Sequence, residues 1–214
     1  MEKFVRVALI SLLSVIAFIA ANNPDQACGQ AVAEDNCLRY CHDHDNISKG
    51  AVVHPALQLG CQACHIGIDA SVKPHKITNN VAKGLAAEPP ELCFNCHDKA
   101  EFTRKNVHDP VAKGKCLSCH NPHASDEPAL LKKKPIDGCL ECHAKILKKP
   151  HPSSGSHPLG IVKAWQKPVM DPSRPGKIFY CGSCHNPHSS DSPNLFRYKA
   201  RDAYELCKYC HKEV

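Results

Sequence analysis

Six stretches of the chain pair two cysteines with a histidine at one fixed spacing: "CQACH" (Cys61, Cys64, His65), "CFNCH" (Cys93, Cys96, His97), "CLSCH" (Cys116, Cys119, His120), "CLECH" (Cys139, Cys142, His143), "CGSCH" (Cys181, Cys184, His185) and "CKYCH" (Cys207, Cys210, His211). On a helical turn, residues i and i+3 lie on one face. Both thiols of such a turn can therefore reach the two vinyl groups of one porphyrin. The next residue, i+4, shares that face and brings an imidazole beneath the iron. Six copies of Cys-x-x-Cys-His thus point to covalently attached haem c. Zinc ribbons and disulfide scaffolds also use paired cysteines, but neither explains the histidine that always follows.

A seventh stretch, "CLRYCHDHD", departs by one residue: Cys37 and Cys41 are four apart, and His42 follows directly. At 100° per residue, an i,i+3 pair is separated by about −60° and an i,i+4 pair by about +40°, so both leave the thiols on one helical face. We read Cys37, Cys41 and His42 as a seventh haem site. The competing reading is a Cys37–Cys41 disulfide, which leaves His42 without a role.

Each iron then needs a sixth ligand. Once the initiator is removed, Met170 is the last methionine, so Met/His ligation could serve one haem at most. Eight histidines stand outside the motifs: His44, His54, His75, His108, His123, His151, His157 and His188. A histidine of this kind is ordinarily a surface or capping residue. Their number, and the repeat positions of His108 with His157 and of His123 with His188, favour bis-histidine ligation at low potential. His123 lies three residues past His120, and three extended residues reach only about 10 Å. Pro122 also turns the chain aside. His123 and His188 should therefore ligate neighbouring haems. His44, two residues past His42, is read as the unused histidine, which leaves His54, His75, His108, His123, His151, His157 and His188 as ligands.

The motifs sit inside a longer repeat. "GKCLSCHNPHASDEPALLKKKPIDGCLECH" aligns with "FYCGSCHNPHSSDSPNLFRYKARDAYELCKYCH" through Cys-x-Ser-Cys-His-Asn-Pro-His, Ser-Asp-x-Pro and a second motif. A looser copy runs from "VHPALQLGCQACH" through "KPH" to "ELCFNCH". A unit carrying two haems is the simplest description. At "SHPLG", the two "SCHNPH" stretches and "ELCKYCH", over about residues 50 to 214, the chain resembles the multihaem cytochromes with doubled CxxCH motifs, the cytochrome c3-like and decahaem-like electron carriers. The resemblance implies a compact haem array with mostly bis-histidine iron. The stretched N-terminal motif and the missing "NPH" after His65 depart from that pattern.

The chain has 214 residues, with 15 cysteines, 15 histidines and 17 prolines but few aromatics. Such a composition cannot build a large apolar core from side chains, so haem is expected to fill the interior. The expected fold is mainly irregular with short α-helices and little or no β-sheet. "PPELCFNCHDKAEF" reads as a helix opened by Pro90 and Glu91, and "DAYELCKYCHKEV" as one capped by Asp202 with Glu205 three residues on. Residues 144–180, rich in proline, read as a connection between lobes 34–143 and 181–214. Trp165 there is read as packing on a porphyrin face or at the lobe junction.

Lys3 and Arg6 precede an apolar run from Val7 to Ala21, a signal-peptide pattern too short for a membrane span. Cleavage after Ala21 or after Ala33 competes. Ala31-Val32-Ala33 has the small-x-small form, and cutting there removes Cys28 and leaves every cysteine inside a motif. Residues 1–33 are thus read as the signal peptide and 34–214 as the multihaem domain, which is periplasmic or extracellular. The formal charge of +6 does not point to nucleic acid. Seven ferric haems, each about +1 at iron and −2 at its propionates, would bring it to roughly −1.

The resulting reading is an exported heptahaem electron carrier rather than an enzyme. The polypeptide sets distance, order and potential, and no bond is made or broken. The partners expected are a quinol-oxidising membrane complex on one side and a terminal reductase or outer-membrane cytochromes on the other. Two alternatives stay open. One is a reductase of nitrogen or sulfur oxyanions, although no Cys-x-x-Cys-Lys occurs. The other is self-assembly into a haem filament or a fixed conduit subunit.

Overall fold

Segments this rich in proline and this poor in apolar periodicity close few helices. The computed structural model describes Cys37, His42 and residues 47–152 and 169–212. Its α-helices are short: Glu91–Phe94, Asp109–Ala112, Pro135–His143, Cys181–Cys184 and Ala203–Cys207. Among the described residues, strands are two residues long and pair as two-stranded ribbons. The fold is mainly irregular, and among the described residues its buried apolar side chains are Ala124, Phe196 and Ala200. So small an apolar interior agrees with a chain organised around something other than its own side chains.

The chain divides into two compact units, residues 1–88 and 89–214. In the first, Ile68–Asp69 pairs antiparallel with Lys76–Ile77, in register Ile68↔Ile77 and Asp69↔Lys76. This hairpin carries His75 at its turn. In the second, Asn106–Val107 pairs antiparallel with Ser189–Ser190, so that Val107 faces Ser189. The ribbon continues by one bond from His108 N–H to the carbonyl of His188, at 2.9 Å. Two histidines far apart in the chain are thereby set side by side.

Local chemistry explains the helices. Asp202 accepts from Glu205 N–H at 2.9 Å and caps Ala203–Cys207, while the Glu205 carboxylate reaches back to Arg201 N–H rather than to the cap residue. The helix expected after Pro90 lasts only four residues, and the chain resumes at Lys99–Phe102 with Asp98 capping Ala100 N–H at 3.0 Å. Pro135–His143 was not foreseen from apolar periodicity. Its signals are Pro135 in the first turn and Asp137 beside the positive helix end.

Candidate functional site

Each strict motif is one helical turn. In "CQACH", "CFNCH", "CLSCH" and "CKYCH", the first cysteine's carbonyl accepts from the second cysteine at 3.1–3.3 Å and from the histidine at 2.9–3.1 Å. "CGSCH" repeats the histidine bond at 3.0 Å, and "CLECH" lies within the Pro135–His143 helix. This is the i, i+3, i+4 arrangement that puts two thiols and an imidazole on one face. The described cysteines of the motifs are half-buried or exposed. Among them, Cys139 and Cys181 hydrogen-bond to each other. That bond pushes the Cys139 thiol up and draws the Cys181 thiol down.

The histidines come together in pairs. Ring centroids lie 5.8 Å apart for His42 and His75, 5.9 Å for His120 and His188, 6.1 Å for His108 and His143, and 6.3 Å for His151 and His185. With metal–nitrogen bonds of about 2 Å and the ring centre roughly 1 Å behind each nitrogen, two trans imidazoles hold their centroids about 6 Å apart. The centroid separations of the four pairs are close to that spacing. In every case one ring belongs to a motif and the other does not.

Ring tautomers agree with that fit. His65, His75, His108, His120 and His185 each place Nδ1 within 2.8–3.0 Å of a backbone carbonyl, those of Lys83, Val72, Pro187, Ala129 and Asn194. A carbonyl can only accept, so Nδ1 carries the proton and Nε2 keeps its lone pair for a metal. Burial, with His120 and His108 nearby, pushes His188 down to about 4, so it is neutral in ordinary buffers. Burial lowers His151 in the same direction, with His185 adding to it.

The Asn-Pro-His stretches work through their asparagines. Asn121 Oδ1 accepts from His123 N–H and Asn186 Oδ1 from His188 N–H, both at 3.1 Å, closing a turn that carries the second histidine away from the first. Phe102 then packs 4.8 Å from the His188 ring and 5.6 Å from Phe94 inside "CFNCH". Neither phenylalanine is marked by any sequence pattern as part of the site.

The "CGSCH" turn is braced from a distance. Asp171 is buried, accepts from Ser173 N–H at 2.9 Å and from Arg174 Nε at 2.6 Å, and the same guanidinium donates to Ser183 Oγ at 3.0 Å. Burial opposes ionisation of Asp171, but the bonds from Ser183, Arg174 and Ser173 prevail and hold its carboxyl below the usual range. We expect Asp171→Ala to destabilise the protein by about 3 kcal/mol, because Arg174 is left desolvated without its partner. Thermal unfolding of the variant beside Asp171→Asn checks this; the amide should recover part of the loss.

The sequence-derived residues are not all brought together in the described part. Cys41, His44 and His157 lie outside the described residues, as do Cys28 and Trp165. His54 is half-buried at the start of the Pro55–Leu59 turn, and His123 is half-buried beside Pro122. Met170 is 51% exposed and forms a backbone bridge with Ile178.

Helical Cys-x-x-Cys-His turns, paired imidazoles and a scarcity of buried apolar side chains among the described residues define a c-type cytochrome with several covalently bound haems. The family of the doubled CXXCH motif matches residues 54–102, 108–148 and 172–214, and the chain belongs to that family. It is also 29% identical over 196 residues to the multiheme cytochrome MtrA of Shewanella baltica (strain OS185), covering 84% of this chain. The chain spans about half the length of that relative, 53% of it.

Proposed function

We propose that the protein is an exported electron carrier holding seven haems c, each iron set between a motif histidine and a second histidine. The observation that carries this reading is the set of four imidazole pairs at 5.8–6.3 Å, one of which includes His42. Bound haem supplies a one-electron ferric/ferrous couple. The chain's own part is to attach, orient and space. Cys37 and Cys41 join the twelve cysteines of the strict motifs as attachment points. His42, His65, His97, His120, His143, His185 and His211 would each hold the iron of their own motif's haem. Opposite them, His75 serves the site of His42, His108 that of His143, His151 that of His185 and His188 that of His120. His54, His123 and His157 are assigned to the remaining sites, and His44 is unused.

Two of these assignments join different motifs. His188 follows "CGSCH" yet faces His120, and His108 precedes "CLSCH" yet faces His143. The ribbon that seats His108 beside His188 thus ties neighbouring sites into one array. Cleavage after Ala33 is proposed to release residues 34–214 into the periplasm or beyond. Among the described residues no helix is long and apolar enough to cross a membrane. The partners are other redox proteins, a quinol-oxidising membrane complex and a terminal reductase or outer-membrane cytochromes. Intact mass with a haem assay tests the reading: it expects an N-terminus at Glu34, seven haems and low-spin spectra throughout. Fewer haems or a high-spin majority would refute it.

A further inference from the structure

Three motifs are followed by the same small device. Downstream of His65, His120 and His185 the backbone makes a left-handed turn at Lys83–Gly84 (φ 58° and 63°), Ala129–Leu130 (56° and 58°) and Asn194–Leu195 (52° and 56°). Each turn is closed by one bond: Leu85 N–H to Ala82 at 3.3 Å, Leu131 to Pro128 at 3.3 Å and Phe196 to Pro193 at 3.0 Å. The carbonyl of the first left-handed residue then accepts the ring Nδ1–H of the motif histidine. The distances are 3.0 Å from His65 to Lys83, 2.9 Å from His120 to Ala129 and 2.8 Å from His185 to Asn194.

Backbone bonds dock the turn on both sides of that contact. Ala86, Lys132 and Arg197 donate to the carbonyl of the motif's second cysteine, Cys64, Cys119 and Cys184, at 2.7, 2.9 and 2.8 Å. Gly67, Asn121 and Asn186 donate to the carbonyls of Gly84, Leu130 and Leu195 at 2.9, 2.8 and 2.7 Å. In the two closer copies a serine adds a further brace: Ser190 Oγ donates to Phe196 at 2.5 Å, and Ser125 Oγ to Leu131.

Side chains do not explain the recurrence across all three copies. The turn residues are Lys-Gly, Ala-Leu and Asn-Leu, and the histidine lies 18 residues upstream in the first copy but 9 in the others. Glycine at 84 and asparagine at 194 tolerate a left-handed backbone, whereas the other residue types found there are strained in it. Lys83, Ala129, Leu130 and Leu195 bear that strain, which persists only where the surroundings over-determine it. What is common to all three is the carbonyl aimed at Nδ1.

We propose that these left-handed turns are positioning devices that hold the imidazoles of His65, His120 and His185 in one orientation and tautomer, and so lower the redox potential of the first haem in each doubled motif. The inference rests on the ligand assignment above. A carbonyl accepting the Nδ1 proton raises the basicity of Nε2, and a stronger donor favours ferric over ferrous iron.

The test uses the haem-loaded full chain with Leu195→Pro and Leu195→Gly. Proline fixes φ near −65° and forbids the turn, while glycine permits it. With Leu195→Pro, the midpoint potential of one haem should rise and its low-spin g values shift, with the haem count unchanged. Leu195→Gly should keep the parent values. Unchanged potentials and g values in the proline variant, or equal shifts in both, would overturn the proposal. Should the proline variant fail to accumulate, proton NMR of the unmodified protein decides: three ring Nδ1–H protons should exchange slowly, and rapid exchange of all three overturns the device. High-spin iron in the unmodified protein would instead strike at the ligand assignment, and this proposal with it.

Discussion

Replacing Cys37 and Cys41 together with alanine is expected to leave a protein with six haems in place of seven, and His75→Ala to leave seven haems with one of them high-spin. The reasoning joins spacing to geometry. A four-residue separation keeps both thiols on one helical face. His42 meets His75 at 5.8 Å, close to the separation of two imidazoles across a metal. The His75 ring is fixed from behind, Nδ1 donating to the Val72 carbonyl at 2.9 Å, so Nε2 is left to coordinate. A pyridine haemochrome assay with intact mass reads the first variant, and electron paramagnetic resonance the second. The site is lost as a proposal if the double alanine variant keeps the haem number of its parent. An entirely low-spin His75→Ala protein would remove His75 from the assignment.

His188→Met should raise the potential of the haem attached through Cys116 and Cys119 by roughly a hundred millivolts or more, axial ligands spanning about 0.8 V among haem proteins. Thioether sulfur favours ferrous iron relative to imidazole. The haem attached through Cys181 and Cys184, although the histidine of that motif lies only three residues upstream, should stay near its parent value. The His188 ring lies 5.9 Å from His120 and packs on Phe102 at 4.8 Å. His185, by contrast, faces His151. Paramagnetic NMR through a redox titration resolves the individual haems. A shift confined to the haem of the "CGSCH" motif would show that His188 serves its own site and that the two motifs are not cross-linked.

Much of the chemistry was legible before any coordinate. Cys-x-x-Cys-His is a local pattern, completed within one helical turn, so its geometry follows from the spacing alone. The Asn-Pro-His turns were likewise legible in their consequence, since proline must divert the chain, although the asparagine's bond to the second histidine was not. The Ser-Asp-x-Pro repeat was visible as a pattern without a purpose. Ser190 proves to bond the Phe196 carbonyl and steady the turn behind His185. Left-handed conformations at Ala129, Leu130 and Leu195 run against the preference of those residue types, so no propensity argument could have placed them.

The sequence by itself determined the attachment chemistry, the supply of spare imidazoles and the scarcity of apolar core. Each is a matter of residue type, count or short spacing, and each survives without knowledge of the path between motifs. Only the tertiary structure decided which histidine faces which. His108 and His188 meet because Asn106–Val107 and Ser189–Ser190 form a ribbon across about eighty residues of chain, and that pairing in turn aims them at His143 and His120. Long-range register of this kind is carried by backbone hydrogen bonds, which any residue but proline can make. The same holds for the carbonyls behind His65, His120 and His185. A backbone acceptor leaves no signature in residue type, so its position appears only once the chain has folded.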